Sequence, residues 1–111
     1  MPPYIPEQGD FVWIDFDPQV GHEQAGRRPA LVLSNSVYNA PSRLGLFCPI
    51  TRKSKGYPWE VAISGKTSVT GVVLADQVKS LDWESRRVEF IGKCPARILN
   101  EAMNRVALLI S

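Results

Sequence analysis

One histidine, two cysteines and no long apolar run are what this chain of 111 residues has least of, and each scarcity excludes something. With His22 as its sole histidine, the chain cannot run a two-histidine nuclease mechanism or build a histidine metal cluster. His22 reads as a surface loop residue before it reads as a base. Cys48 and Cys94 lie in apolar sequence without metal-ligand spacing. They are expected as buried, reduced thiols, with a disulfide left open. No stretch approaches the roughly eighteen apolar residues of a membrane span. The opening "MPPYIPEQGD" lacks the basic and apolar regions of a secretory leader, so a cytoplasmic protein is expected. Neither CxxC, GxSxG nor GxxxxGK[ST] occurs, and no metal or cofactor is expected. The length suits one domain, residues 1–111, with one modest core.

Net charge is only +2, too small to identify a partner, but its distribution is uneven. Residues 1–26 hold Glu7, Asp10, Asp15, Asp17 and Glu23 and no Lys or Arg. Residues 27–59 hold Arg27, Arg28, Arg43, Arg52, Lys53 and Lys55 and no acid. Folding such a chain predicts a basic surface beside an acidic one, and a basic patch is the footprint of a polyanion site. A solvated charged loop is the alternative.

Alternation dominates the first eighty residues. In "DFVWIDF" (10–16) both faces are largely apolar, which predicts a central strand. Segments 29–34, 43–51, 60–63, 70–78 and 86–92 read as further strands, rich in Val, Ile, Leu and Phe and bounded by turn residues. Six short strands predict a mainly β (α+β) fold, a small, strongly bent antiparallel barrel. The apolar run at 72–75 and the large aromatics should leave surface for a second copy to bury. From Pro95 the period changes. Ile98, Leu99, Ala102, Val106, Leu109 and Ile110 share one helical stripe, with Arg97–Glu101 and Glu101–Arg105 as i,i+4 pairs. A C-terminal amphipathic helix should therefore pack on the barrel.

Three segments interrupt the strands: the glycine-bearing 17–27, the polar 34–43 with room for a short helical turn, and the basic, aromatic 51–60. Arginine can hold a phosphate oxygen through two parallel N–H bonds and stabilise the added charge of a pentacovalent phosphorane. A threonine hydroxyl can donate to a developing oxyanion. Lys53, Lys55, Tyr57 and Trp59 suit a single-stranded nucleic acid, cations following phosphates while aromatic faces stack bases. The same Tyr-Pro-Trp run serves equally as an aromatic corner closing the barrel.

Four blocks, "GDFVWIDFDP", "GHEQAGRRPALVLS", "SKGYPWEV" and "VLADQVKSLDW", occur in the order and spacing of one family. Together they make the chain resemble the MazF/PemK toxin endoribonucleases, from about Tyr4 to the C-terminal helix. The resemblance implies an SH3-like barrel working as a homodimer, within a type II toxin–antitoxin system. It implies metal-independent cleavage of single-stranded mRNA, leaving a 2′,3′-cyclic phosphate and a 5′-hydroxyl, and inhibition by a cognate acidic, MazE-like antitoxin. Arg28, directly before Pro29 and Ala30, matches the family's catalytic arginine. Thr51 matches its catalytic Thr or Ser, and Glu23 matches an acid important in close relatives. The implied RNA-contacting set is Trp13, Asp15, Arg27, Arg52, Lys53, Lys55, Tyr57, Gln77 and Lys79. Arg27 and Arg52 depart from residues common in the family, which bears on the recognised sequence.

Because a guanidinium hardly ever gives up its proton, Arg28 is assigned the phosphorane and Thr51 a donor role near the leaving 5′-oxygen. Glu23 or a water then takes the 2′-hydroxyl proton. Two alternatives stand beside this reading. Gyrase-poison-type toxins share the barrel but carry a C-terminal Trp-Gly-Ile tail, where this sequence reads Leu109-Ile110-Ser111. A non-catalytic SH3-like RNA- or protein-binding module would bind without cutting.

Overall fold

The computed structural model describes residues 3–17 and 21–111, so part of the 17–27 segment lies outside the described residues. One strand organises the rest. β3 (Leu44–Thr51) pairs antiparallel with β2 (Arg27–Val32) along one edge, Ala30 facing Pro49 and Val32 facing Phe47. Its other edge takes two partners in turn. β6 (Lys79–Asp82) lies along Leu44–Phe47, and β5 (Gly71–Leu74) lies along Ile50–Thr51.

This double pairing corrects the single strand expected at 70–78. The chain must step from one half of β3 to the other, and it does so through a 3₁₀ turn at Ala75–Gln77. The turn is anchored where the Ala75 N–H donates to the Trp59 carbonyl at 3.1 Å. β6 was not anticipated, because "KSLD" has one apolar residue, Leu81, and shows no alternation.

β1 (Asp10–Asp15) is central as expected, between β2 and β7 (Glu89–Lys93). Its two apolar faces serve two cores. Phe11 packs with Leu31, Cys48, Ile50 and Val73, while Val12 and Ile14 pack with Phe16, Val32, Phe47 and Trp83. The last expected strand, 86–92, begins only at Glu89. Arg86 and Val88 belong to a turn closed by their N–H bonds to the Asp82 and Trp83 carbonyls, with Arg87 at φ 54°.

With β4 (Glu60–Ile63) paired to β5, the strand order is β4-β5-β3-β2-β1-β7, and β6 joins β3. The sheet is the small antiparallel barrel expected, left half open between its edge strands β4 and β7. The run at 72–75 is buried in this chain's own core and offers no surface to a second copy.

Helix α2 (Ala96–Ile110) follows Pro95, which cannot continue a strand ladder but suits a helix start. Ile98 and Ala102 are buried on the Phe11 core, with Leu99 and Val106 partly covered. The expected stripe ends there. Leu109 is 41% and Ile110 84% exposed, because the last turn carries its apolar side chains into solvent. Glu101 pairs with Arg105 at 2.9 Å, but Arg97 turns instead to the Ser64 carbonyl at 2.7 Å. Among the described residues no helix is long and apolar enough to cross a membrane. Both cysteines are free. Burial pushes the Cys48 thiol up to about 12, whereas Cys94 is only partly buried, contrary to expectation.

The polar 34–43 segment folds as helix α1 (Ser36–Ser42), capped by Asn35, whose Oδ1 accepts from the Tyr38 N–H at 3.0 Å. Asn39 inside it is fully buried and satisfied. Its Nδ2 donates to the Pro6 and Ser34 carbonyls at 2.9 and 3.0 Å, and its Oδ1 accepts from Ser34 Oγ at 2.6 Å. Asn39→Ala should cost about 1–3 kcal/mol for each buried group it leaves unsatisfied. A urea-midpoint change worth less than about 0.5 kcal/mol, the scale of a surface substitution, would contradict this.

Candidate active site

Two adjacent arginines open β2, and their surroundings differ. Register sets Arg27 opposite Asp15 and Arg28 opposite Ile14. Arg27 is neutralised: Nη1 meets Asp15 Oδ1 at 3.3 Å and Nη2 meets Glu89 Oε1 at 2.7 Å. Asp15 is shared with Arg87, whose Nε lies 3.0 Å from Oδ2. The Arg87 hydrogen bonds, seconded by Arg27, hold the Asp15 carboxyl below the usual carboxylate range against its desolvation.

Arg28 meets only neutral oxygens. Its Nε donates to the Ala25 carbonyl at 2.9 Å, and Nη1 reaches the Ile50 carbonyl at 3.5 Å. Among the described residues no carboxylate pairs with it and Nη2 has no partner. The guanidinium is thus oriented by the backbone while its charge stays uncompensated.

Arg28 and Thr51 line one cleft of about 380 Å³, together with Trp13, Arg52, Ser68 and Thr70. Thr51 ends β3 and also walls a second cleft of about 250 Å³, shared with His22, Gln24, Lys53, Lys55, Tyr57 and Gln77. Its Oγ1 accepts from the Lys53 N–H at 3.2 Å, which leaves its own O–H free to donate elsewhere. What places Thr51 is Gly71. At φ +121° β5 comes so close that a Cβ there would sit 2.3 Å from the Thr51 carbonyl oxygen. Only glycine fits that approach.

A clip joins the 21–26 loop to the other side of the second cleft. Gln77 Oε1 accepts from the Gln24 N–H at 2.9 Å, and Lys79 Nζ meets Glu23 Oε2 at 3.1 Å. The next carbonyl along, that of Ala25, orients Arg28. Beyond Thr51, Lys55 Nζ stands 5.9 Å from the centre of the Tyr57 ring, which is 56% exposed and open to stacking.

The structure therefore brings together Arg28, Thr51, Trp13 and Arg52 in one cleft, and Thr51, Lys53, Lys55, Tyr57 and Gln77 in the other. It does not bring Glu23, Lys79, Asp15 or Arg27 into either. Glu23 and Lys79 pair beside the second cleft, and Asp15 and Arg27 belong to the ion cluster. Sequence reasoning missed Ser68, Thr70 and Ile91 in the first cleft and Glu60, Leu74 and Asp76 in the second. Their one available signal was "TG" at 70–71, a glycine heading an apolar strand. Its meaning needs the pairing of β5 with Thr51, which alternation does not reveal.

Residues 7–110 match the family of PemK-like, MazF-like toxins of type II toxin–antitoxin systems. The endoribonuclease toxin MazF of Escherichia coli strain K12 is 54% identical over 83 residues, 75% of this chain and 74% of that protein. The crystal structure of MazF from Deinococcus radiodurans superposes with a TM-score of 0.94 at 49% identity, covering 97% of this chain and 98% of that one. A MazE–MazF crystal structure from the same organism gives 0.86 at 43% identity, covering 98% of each chain.

The Gly71 contact is open to test. Gly71→Ala should destabilise by more than the roughly 1 kcal/mol of a positive-φ substitution alone. Gly26→Ala is the control for strain, since at φ +76° its Cβ would meet nothing within 4 Å. Equal losses in the two variants would mean that β5 does not pack tightly on Thr51.

Proposed function

Since the chain belongs to the PemK-like, MazF-like toxin family of type II toxin–antitoxin systems, we propose that it acts as an endoribonuclease toxin through the cleft between Arg28 and Thr51. The observation that carries this is an uncompensated guanidinium and a donor-ready hydroxyl lining one cleft. That pair suits a reaction in which charge builds on phosphorus-bound oxygens. The adjoining cleft, with Lys53, Lys55 and exposed Tyr57, suits the phosphates and bases of single-stranded mRNA.

The substrate's own 2′-oxygen attacks phosphorus and the bond to the 5′-oxygen breaks, giving a 2′,3′-cyclic phosphate and a 5′-hydroxyl. Arg28 keeps its proton and holds the phosphorane oxygens. Thr51 donates a hydrogen bond to the leaving 5′-oxygen, which takes its proton from water. The 2′-hydroxyl proton goes to Glu23 or to a water. Glu23 can serve only if substrate draws its carboxylate from Lys79, which holds it at 3.1 Å. The chemistry needs positioning and charge stabilisation and assigns no step to a metal.

The partners follow from the same surfaces. A MazE-like antitoxin with an acidic, poorly structured segment would cover Arg28, Arg52, Lys53 and Lys55 and mimic the RNA backbone. Exposed Tyr38, Leu46, Phe90, Leu108 and Ile110 favour a homodimer, and a toxin that cuts mRNA acts in the cytoplasm.

A substrate with one 2′-deoxy nucleotide 5′ to the scissile phosphate should bind and resist cleavage, while all-ribo substrate is cut in excess EDTA. Arg28→Ala should lose about 2.7–4 kcal/mol of transition-state stabilisation, the scale of one oxyanion donor, with RNA affinity falling far less. Thr51→Val should be nearly as damaging. Cleavage of the deoxy substrate at the normal position would rule out attack by the 2′-hydroxyl. Binding without any cut in mixed-sequence RNA would favour the non-catalytic module instead.

Light scattering at micromolar concentration should give the dimer mass, and antitoxin affinity should fall with salt and with charge reversal at Lys53 and Lys55. A monomer, or an affinity indifferent to both changes, would contradict the partner assignments.

A further inference from the structure

An acid in a cleft meant for phosphate needs a reason, and Glu60 is such an acid. It begins β4 and lines the second cleft beside Lys53, Lys55 and Tyr57. Its carboxylate faces the loop, and both oxygens are engaged. Oε1 accepts from Ser54 Oγ at 2.7 Å and from the Gly56 N–H at 3.1 Å, and Oε2 accepts from the Lys55 N–H at 2.9 Å. The Glu60 N–H closes the turn from below by donating to the Tyr57 carbonyl at 3.1 Å.

Other bonds hold the segment mainly at its two ends, the Lys53 N–H on Thr51 Oγ1 at 3.2 Å and the Arg105 guanidinium on the Pro58 carbonyl. Residues 52–58 are all exposed, so no apolar burial fixes them. Lys55 and Tyr57 stack on each other rather than on the core. The N–H groups gathered on one carboxylate form a small anion nest whose occupant is part of the chain. The charge that would repel phosphate is absorbed by the loop's own donors. Those bonds, the Lys55 N–H first, draw the Glu60 carboxyl below its ordinary range.

We propose that Glu60 is the positioning residue of the RNA-binding loop, holding residues 54–57 so that Lys53, Lys55 and Tyr57 face the cleft beside Thr51. This rests on the ribonuclease reading above. Glu60 acts on substrate through the loop and not by contact, so it should govern how tightly RNA is held and leave the chemical step alone.

The test pairs steady-state cleavage of a short single-stranded RNA with amide hydrogen exchange of the free protein. Glu60→Ala should raise KM roughly tenfold, as expected for lost bonds to a charged acceptor. Its kcat should stay within about twofold, and the Lys55 and Gly56 amides should lose protection. Glu60→Gln keeps one carbonyl oxygen for these N–H groups and should recover part of the KM. Should the Ala variant fail to fold, Ser54→Ala removes one donor and should still raise KM with kcat kept.

Unchanged KM in the folded variants would overturn the proposal. So would a raised KM, or an altered cleavage sequence, with Lys55 and Gly56 still protected, since Glu60 would then touch RNA itself. Wild-type protein that cuts no RNA would overturn the ribonuclease reading, and that is seen before any variant is measured.

Discussion

β3 has to satisfy three neighbours at once, and the site depends on how it does so. β2 takes one edge, while β6 and then β5 share the other. The change of partner near Phe47–Ile50 obliges the intervening chain to turn at Ala75–Gln77, and that turn presents Gln77 to the 21–26 loop. The same pairing brings Gly71 against the end of β3 and fixes where Thr51 stops. Arg28 enters from the opposite edge, with Nη1 directed at the Ile50 carbonyl one residue before Thr51. Both groups at the cleft are thus set by backbone pairing, which holds positions more firmly than exposed side-chain contacts do.

Charge is then distributed so that, among the described residues, the acids near the first cleft pair with Arg27, Arg87 and Lys79 and leave Arg28 unpaired. The acids of the first 26 residues do not form a separate acidic face. Asp15 and Glu89 compensate Arg27, Asp15 also serves Arg87, and Glu23 holds Lys79. Asp10, 1% exposed, is paired with Lys93 at 2.6 Å and accepts from the Tyr4 hydroxyl, tying the N-terminal segment to β7. Burial and this bond raise the Tyr4 phenol well above its ordinary value. Among the described residues Arg28 is left with carbonyl partners alone. An anion entering its cleft meets an oriented fork and need not displace a carboxylate.

Much of the fold was legible in the sequence because it rests on local periodicity. The two apolar faces of 10–16 placed β1 centrally, and the change of period after Pro95 announced α2. What failed needed partners that the sequence does not name. A strand read through 70–78 looked continuous because apolar residues persist up to the turn, and only the switch of partner along β3 breaks it. Leu109 and Ile110 kept helical spacing beyond the core that gave the stripe its purpose.

The candidate site divides the same way. Motif blocks nominate Arg28 and Thr51, charge beside aromatics nominates Lys53, Lys55 and Tyr57, and the structure sets all five along the two clefts. Adjacency in sequence conceals which of two arginines an acid will claim, and only the structure sets Arg27, an expected RNA contact, between Asp15 and Glu89. Glu60 was missed because a single glutamate at a strand start gives no hint that a loop will fold around it.

The central claim is that Arg28 alone of the pair is available, and that its fork, not its charge, does the work. Single-turnover cleavage by Arg28→Lys and Arg27→Lys tests this directly, since lysine keeps the charge and loses the fork. Arg28→Lys should lose most of the chemical rate. Arg27→Lys should stay within about twofold of wild type, as expected for changing one ion pair in a part-exposed cluster. Equal losses in the two variants, or a larger loss for Arg27→Lys, would contradict it.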